Sequence, residues 1–427
     1  TIGAGGAGGG GNGGTWNGST SAISSATAGT TNTGGGGGAG QNGGKGVAIF
    51  AYDSGSFSGT GGIKSAREDG YVVHTFNNSG TLAIAGAGEK TIIPSQHFNV
   101  LSITAPGSSG TSTQVTGLSF RPDLVWMLPR NQAYYIRVSD SVRGVDKALY
   151  LDRPDDENNV SSNDVYSVLS FNSNGFNYRD HSQASVTFVV PCWKAGGTAV
   201  TNEDGTIESS VSANTTAGFS IVAWTGNGSS GATIGHGLGV TPNFAFAKSR
   251  NSATNWPAVN FDLQTGGQLN TSQVFSNGNY TAYYAAQPSS TVLTLGSNGA
   301  TNGNTNTYVA YVFSEVEGYS KFGQYTGNGD NFGAFIYTGF KVQFLLIKRT
   351  TTESWILADT KRNSLTGRES PADAYLLANT NALESTGIEY DMLSNGFKFR
   401  TTSQNENGAT YIYLAFAESP FKNSRGR

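Results

Sequence analysis

The sequence has little of what most enzyme chemistry needs. It holds one cysteine, four histidines and two methionines in 427 residues. A lone cysteine forms no internal disulfide, so a disulfide-stapled secreted scaffold is excluded. Cys192 follows the apolar run Val186-Thr187-Phe188-Val189-Val190 and reads as a buried structural residue rather than a nucleophile. The histidines, His74, His97, His181 and His236, fall in no H-x-x-H or H-E-x-x-H pattern. His236 sits in a glycine-rich turn and is expected to make a structural hydrogen bond. No phosphate-cradling loop, dinucleotide fingerprint or nucleophile elbow is present. The chain is therefore read as a non-enzyme, with no catalytic, cofactor-binding or metal-ligating residue assigned.

Charge is scarce too. Charged residues make up 13% of the chain and the net charge is −3. No basic stripe runs along any segment, so a nucleic-acid partner is not expected. Lys422, Arg425 and Arg427 make only a short basic end around the tail 423–427. No stretch of about 20 apolar residues is present, so no helical membrane insertion is expected. The acidic triplet Asp155-Asp156-Glu157 offers oxygen ligands of the kind hard cations take, but its spacing is not that of a calcium loop. It reads as a solvated acidic turn.

What the chain has in abundance is glycine, 60 residues of it, with much Asn, Ser and Thr. Gly and Asn accept positive φ at little cost, which suits tight turns between strands. Apolar patterning of period 3.6 is scarce, and Ala372 to Ala378 is the one candidate helical turn. An all-β fold follows. Residues 1–46 are low in complexity, with runs such as Gly8–Gly11 and Gly34–Gly38, and read as a linker or as packed polyglycine-type helices. Residues 47–99 read as a small β module. Its strands are expected over Gly46–Tyr52 and Gly70–Phe76, with a hairpin through Asn77-Asn78-Ser79-Gly80 to Thr81–Ile84.

The rest of the chain repeats. Trp224-Thr225-Gly226-Asn227-Gly228 matches Tyr325-Thr326-Gly327-Asn328-Gly329, and Phe244–Lys248 matches Phe344–Lys348. Trp256 matches Trp355, Ser297-Asn298-Gly299 matches Ser394-Asn395-Gly396, and Thr307–Glu315 matches Thr410–Glu418. Matches in one order at a nearly constant shift of about 100 residues mark a duplication. A divergent third copy precedes them: Phe120–Met127 stands where Val240–Phe246 stands later, and Asp140–Arg143 parallels Asp359–Arg362. Tandem β-sandwich-like repeats are thus expected over 100–195, 215–320 and 321–422. Thr410–Phe416 is long, aromatic and β-branched, and is placed centrally in a sheet.

Asp140 with Arg143 and Asp359 with Arg362 read as structural ion pairs, and Trp256 and Trp355 as core. Binding tends to fall on the loops between such anchors. The most aromatic of these is Asn279–Tyr284, so Tyr280, Tyr283 and Tyr284 are the candidate receptor-binding residues.

The Gly-rich start with Val72–Thr81 resembles glycine-rich modules of phage tail-fibre proteins. The repeat resembles an uncharacterised domain of tail and virion proteins in marine phages, cyanophages included. Its carrying residues are Gly318–Gly323, Tyr325–Gly329, Phe344–Lys348, Leu393–Phe397 and Ala415–Lys422. The first copy departs: it lacks the Thr-Gly-Asn-Gly element, and Pro191-Cys192-Trp193 replaces the Phe-x-Glu ending, which suggests another role for it, such as docking. The resemblance implies a virion component at the extracellular surface, in the tail or a fibre. It implies a homotrimer bound to other virion proteins, with a host-surface glycan or protein as receptor. A capsid-decorating, head-fibre or surface-filament protein is the alternative. A polysaccharide depolymerase is a weaker one, because its coil repeat of about 20–30 residues is missing.

Overall fold

The computed structural model describes residues 48–53, 57–60, 62–66, 71–77, 83–86, 92–145, 147–159, 166–362 and 373–420. The Gly-rich segment 1–46 and the tail 423–427 lie outside the described residues. Structural units divide after Thr91.

In the first unit, Tyr71–Phe76 is the middle of a three-stranded antiparallel sheet, flanked by Ala48–Asp53 and Ile63–Ala66. The expected hairpin is not formed. Both edges of Tyr71–Phe76 are occupied, and Ala83–Gly86 pairs with Phe57–Thr60 instead.

The second unit, from Ile92 onward, is nearly all β. It contains three lobes, each a large antiparallel sheet packed on a small one. In the first lobe the large sheet runs Asn158–Asn159, Lys147–Tyr150, Arg137–Asp140, Leu124–Pro129, Thr187–Trp193, Phe98–Thr104. In the third it runs Leu376–Leu377, Ile356–Asp359, Phe340–Arg349, Thr410–Pro420, Ser320–Thr326. The second lobe follows the same order, Thr265–Gln268, Pro257–Asn260, Phe244–Ser249, Thr307–Phe313, Phe219–Thr225, and adds the hairpin Val200–Asn202/Ser209–Asn214 at the far edge. In each lobe the last strand in sequence is central, as expected for Thr410–Phe416. Phe98 and Asn99 belong to the first lobe's sheet, so the boundary falls before the position 99 expected from sequence.

The central strands read as unbroken apolar runs because both of their faces are buried. Val125 and Met127 face the first lobe's own small sheet, while Leu124, Trp126 and Leu128 face a second core. Ala245 and Ala247 divide from Phe244 and Phe246 in the same way, as do Leu345 and Ile347 from Phe344 and Leu346. That second core is common to all three lobes. Its rings meet across lobe boundaries: Phe98 to Phe416 at 4.9 Å, Trp126 to Phe246 at 6.0 Å, Phe313 to Phe416 at 5.8 Å. The lobes are not separate beads; each lends one sheet face to a shared interior.

Three backbone hydrogen bonds close them into a ring. Glu157 N–H donates to Arg250 O at 2.6 Å, Phe275 N–H to Thr350 O at 2.8 Å, and Glu384 N–H to Arg130 O at 2.8 Å. These link first lobe to second, second to third, and third back to first, through matching positions. No helix among the described residues is long and apolar enough to cross a membrane. Helix is confined to Pro94–Gln96, Asn277–Tyr283 and Gly299–Asn302 among the described residues, and the expected helical turn ending at Ala378 carries the strand Leu376–Leu377 instead.

Candidate functional site

Most residues singled out by the repeat serve the scaffold. Asp140 and Arg143 form a fully buried ion pair, as do Asp359 and Arg362 at 2.6 Å. The carboxylates also cap their own turns, accepting from Val142 and Arg143 N–H and from Lys361 and Arg362 N–H. Glu157 is not a solvated turn residue. It lies between Arg250, at 2.6 Å across the seam, and Arg143 at 3.8 Å. Glu384 lies likewise between Arg130 of the first lobe, at 2.8 Å, and Arg362 at 3.2 Å. The arginine partners hold the Glu384 carboxyl below its ordinary value against the opposing cost of burial. Asp155 pairs with Arg153 instead.

Trp256 and Trp355 are core residues whose indole N–H crosses a seam, to Tyr150 O at 2.8 Å and to Gln268 O at 2.9 Å. Lys248 and Lys348 are buried at matching strand ends, with ammonium groups donating to carbonyls such as Ser249 O (2.8 Å) and Thr351 O (2.6 Å). Burial pulls both down to about 8. The Thr-Gly-Asn-Gly element is also structural. A Cβ on Gly226 or Gly327 would meet a facing carbonyl at 2.5 or 2.3 Å, and Gly228 and Gly329 take φ of +72° and +70°. His236 holds a turn: its Nδ1 accepts from Leu238 N–H, and burial lowers its pKa. Burial pushes the Cys192 thiol up, away from a nucleophilic thiolate.

The expected receptor residues are inside the protein. Tyr280, Tyr283 and Tyr284 are at most 4% exposed. Asn277–Tyr283 is a helix capped by the Ser276 hydroxyl; it packs against Thr265–Gln268 and takes the place in chain order that a strand of the small sheet has in the other lobes. Tyr280 and Tyr284, four apart, turn one face onto Phe261, with ring centroids at 6.2 and 5.2 Å.

The densest group of exposed aromatics among the described residues lies in the third lobe. Phe332, Phe335 and Tyr337 are 67%, 47% and 60% exposed within six residues. They are held in place. Asp330 Oδ1 accepts from Phe332 N–H at 2.9 Å, Gly333 N–H donates to Phe399 O, and Ile336–Tyr337 pairs with the strand Gly396–Phe399. Ile336, between two outward rings, is buried in the lobe. Lys398 Nζ and the Arg400 guanidinium each lie 5.7 Å from the Phe332 ring centroid. The matching stretch of the second lobe, Ser229–Ile234, has no aromatic residue. The sequence signal for this platform was the spacing Phe332, Phe335, Tyr337, with strand alternation at its end.

A second surface feature is polar. A groove of about 470 Å³ opens between the first lobe and the turn after Ser209–Asn214. His97, Arg121, Lys194, Gly196, Gly197 and Asn214 line it, with Asp123 at its base. Asp123 is saturated: it accepts from Arg121, from the Ser141 hydroxyl at 2.8 Å and from Ala195 N–H at 2.9 Å. Asn214 Nδ2 donates to Lys194 O at 2.9 Å and to His97 Nδ1 at 3.0 Å. Burial and the nearby Lys194 lower the His97 pKa, which favours the neutral ring with its proton on Nε2.

Residues 93–420 match a family described as a domain of unknown function (DUF7483). The chain belongs to this family. The matched span takes in all three lobes, so the ring, not the single lobe, is the unit that the family defines. No curated protein and no solved structure matches the chain.

Proposed function

We propose that the chain is a virion surface protein of the tail-fibre type: a rigid, non-enzymatic β carrier whose third lobe contacts a host-surface glycan. The observation that carries this reading is the platform of Phe332, Phe335 and Tyr337. Three exposed rings fixed by a turn cap and a strand pairing present flat apolar faces with little ordering left to lose on binding. Flanking Asp330, Lys398 and Arg400 supply polar groups at the rim, the mix that marks interaction patches. The motif resemblance to tail-fibre modules supports the virion setting. Other virion proteins are the partners expected. A homotrimer of such three-lobed bodies is the expected assembly.

The experiment is binding of the full chain to candidate host cells and to their purified surface polysaccharide, with native mass measured on the same sample. Saturable binding, lost by tenfold or more in F332A/F335A/Y337A with an unchanged β circular-dichroism spectrum, is expected. An intact triple variant that binds as well as the native chain overturns the platform reading. Binding to purified capsids in place of cells moves the protein to a capsid-decorating role. Release of reducing sugar in the same wells overturns the non-enzymatic reading. A monomeric mass overturns the homotrimer.

A further inference from the structure

The ring provides an internal control for every position, because each lobe presents the same site in a different sequence. Two residues past the central strand's aromatic end, the second and third lobes carry Glu315 and Glu418. Each pairs with a lysine: Lys321 with Glu315 at 2.7 Å, and Lys341 with Glu418 at 2.8 Å. The hydrogen bonds of the preceding residues fix the equivalence. Lys194 N–H donates to His97 O, Ser314 N–H to Gly218 O, and Ala417 N–H to Tyr319 O. The first lobe therefore has Lys194-Ala195 where its siblings have Ser314-Glu315 and Ala417-Glu418. It has lost a carboxylate and gained a cation in one step.

This exchange falls in the lining of the groove described above. Among the described residues the Lys194 ammonium makes no ion pair, while every other ionic group at the equivalent positions is paired. Arg121 spends one nitrogen on Asp123 and is 41% exposed, leaving guanidinium donors for a ligand. The groove volume lies in the range of small-molecule sites. Gly196 and Gly197 form one wall, with the Gly197 carbonyl held by the Ser212 hydroxyl at 2.8 Å, and Asn214 fixes the neighbouring His97 ring so that its Nε2–H is a donor.

We infer that this groove binds a carboxylate-bearing sugar residue of the uronate type, whose carboxylate takes the place that glutamate fills in the other lobes. Lys194 and the free edge of Arg121 receive the carboxylate, and the backbone and amide groups around it receive hydroxyls. The site is separate from the aromatic platform and goes beyond the glycan contact proposed there.

The experiment titrates the full chain with sodium glucuronate and with glucose, by calorimetry or chemical-shift perturbation, at low and high salt. Glucuronate is expected to bind and glucose not, with affinity falling as salt rises. K194Q is expected to weaken glucuronate binding about tenfold or more. A195E rebuilds the siblings' internal carboxylate and is expected to abolish it. F332A/F335A/Y337A is expected to leave it unchanged, which separates failure here from failure of the platform reading. Equal binding of glucose, full binding by A195E, or no glucuronate binding by the native chain each overturns the inference. If A195E does not fold, undiminished binding by K194Q overturns it alone.

Discussion

Two of the three seams are ionic and one is not. Where the first lobe meets the second, Glu157 lies between Arg143 and Arg250; where the third meets the first, Glu384 lies between Arg362 and Arg130. Where the second meets the third, every member of that set is replaced. Phe275 stands for the glutamate, Leu263 and Thr350 for the arginines, and Asn260 for the buried aspartate. Phe275 packs edge-on against Trp355 at 5.4 Å, and Asn260 still caps its turn through Leu263 N–H at 3.0 Å. Only the backbone bond and the turn cap persist through all three. The comparison teaches that the ring is closed by main-chain geometry and packing. The charges are one of two ways to fill the same space, as expected when desolvation nearly cancels the attraction within a buried ion pair.

The sharpest way to break that comparison is to remove one member of an ionic seam. R362L alone leaves Asp359 and Glu384 without their shared partner, and a loss of about 4 kcal/mol is expected in urea unfolding. Cutting the apolar seam with F275A is expected to cost about 3 kcal/mol, from lost transfer and a cavity beside Trp355. A third change uses the residue that caps the strand before each seam. Asn270 and Asn379 accept from Trp256 and Trp355 N–H at 2.9 Å, and Asp152 accepts from Ile136 N–H at 3.1 Å. Burial raises the Asp152 carboxyl to about 6. The folded protein thus holds that proton more tightly than the unfolded chain, so stability falls as pH rises from about 4 to about 6. D152N removes the penalty, and a gain of about 2 kcal/mol is expected above pH 6, fading toward pH 4. Smallest of all should be the complete exchange R130T/D359N/R362L/E384F, which writes the apolar seam into an ionic one. A change within about 1.5 kcal/mol is expected, against the large loss from R362L alone.

The β class was legible in the sequence because strands keep their apolar and β-branched runs, and because glycine and asparagine mark the turns. Phe344–Ile347 reads as a buried strand on any inspection. What covers its second face does not: Phe344 and Leu346 look the same whether a second sheet or another lobe lies over them. Tyr280, Tyr283 and Tyr284 misled because aromatic content was weighed above spacing. Positions i, i+3 and i+4 put them on one face of a helix, which is a burial signal. Asp155-Asp156-Glu157 looked like one cluster, yet its third member crosses a seam that local sequence cannot reveal. The groove was half legible, since the departure of the first copy at Pro191-Cys192-Trp193 was visible, while the Lys194-Ala195 exchange just beyond it was not.

The ring also decides how force would travel. The chain enters it at the turn Pro94–Gln96, which packs against the last strand, Thr410–Pro420. Entry and exit therefore lie at the same joint, first lobe against third. Tension applied at the two ends would not draw the three lobes out one after another. It would load the contacts beside that joint, where Gln343 Nε2 donates to Asn99 Oδ1 at 2.9 Å and Phe98 lies against Phe416 at 4.9 Å. A protein built this way fails mechanically at one place, and that place is the joint where the first strand of the ring lies against the last lobe.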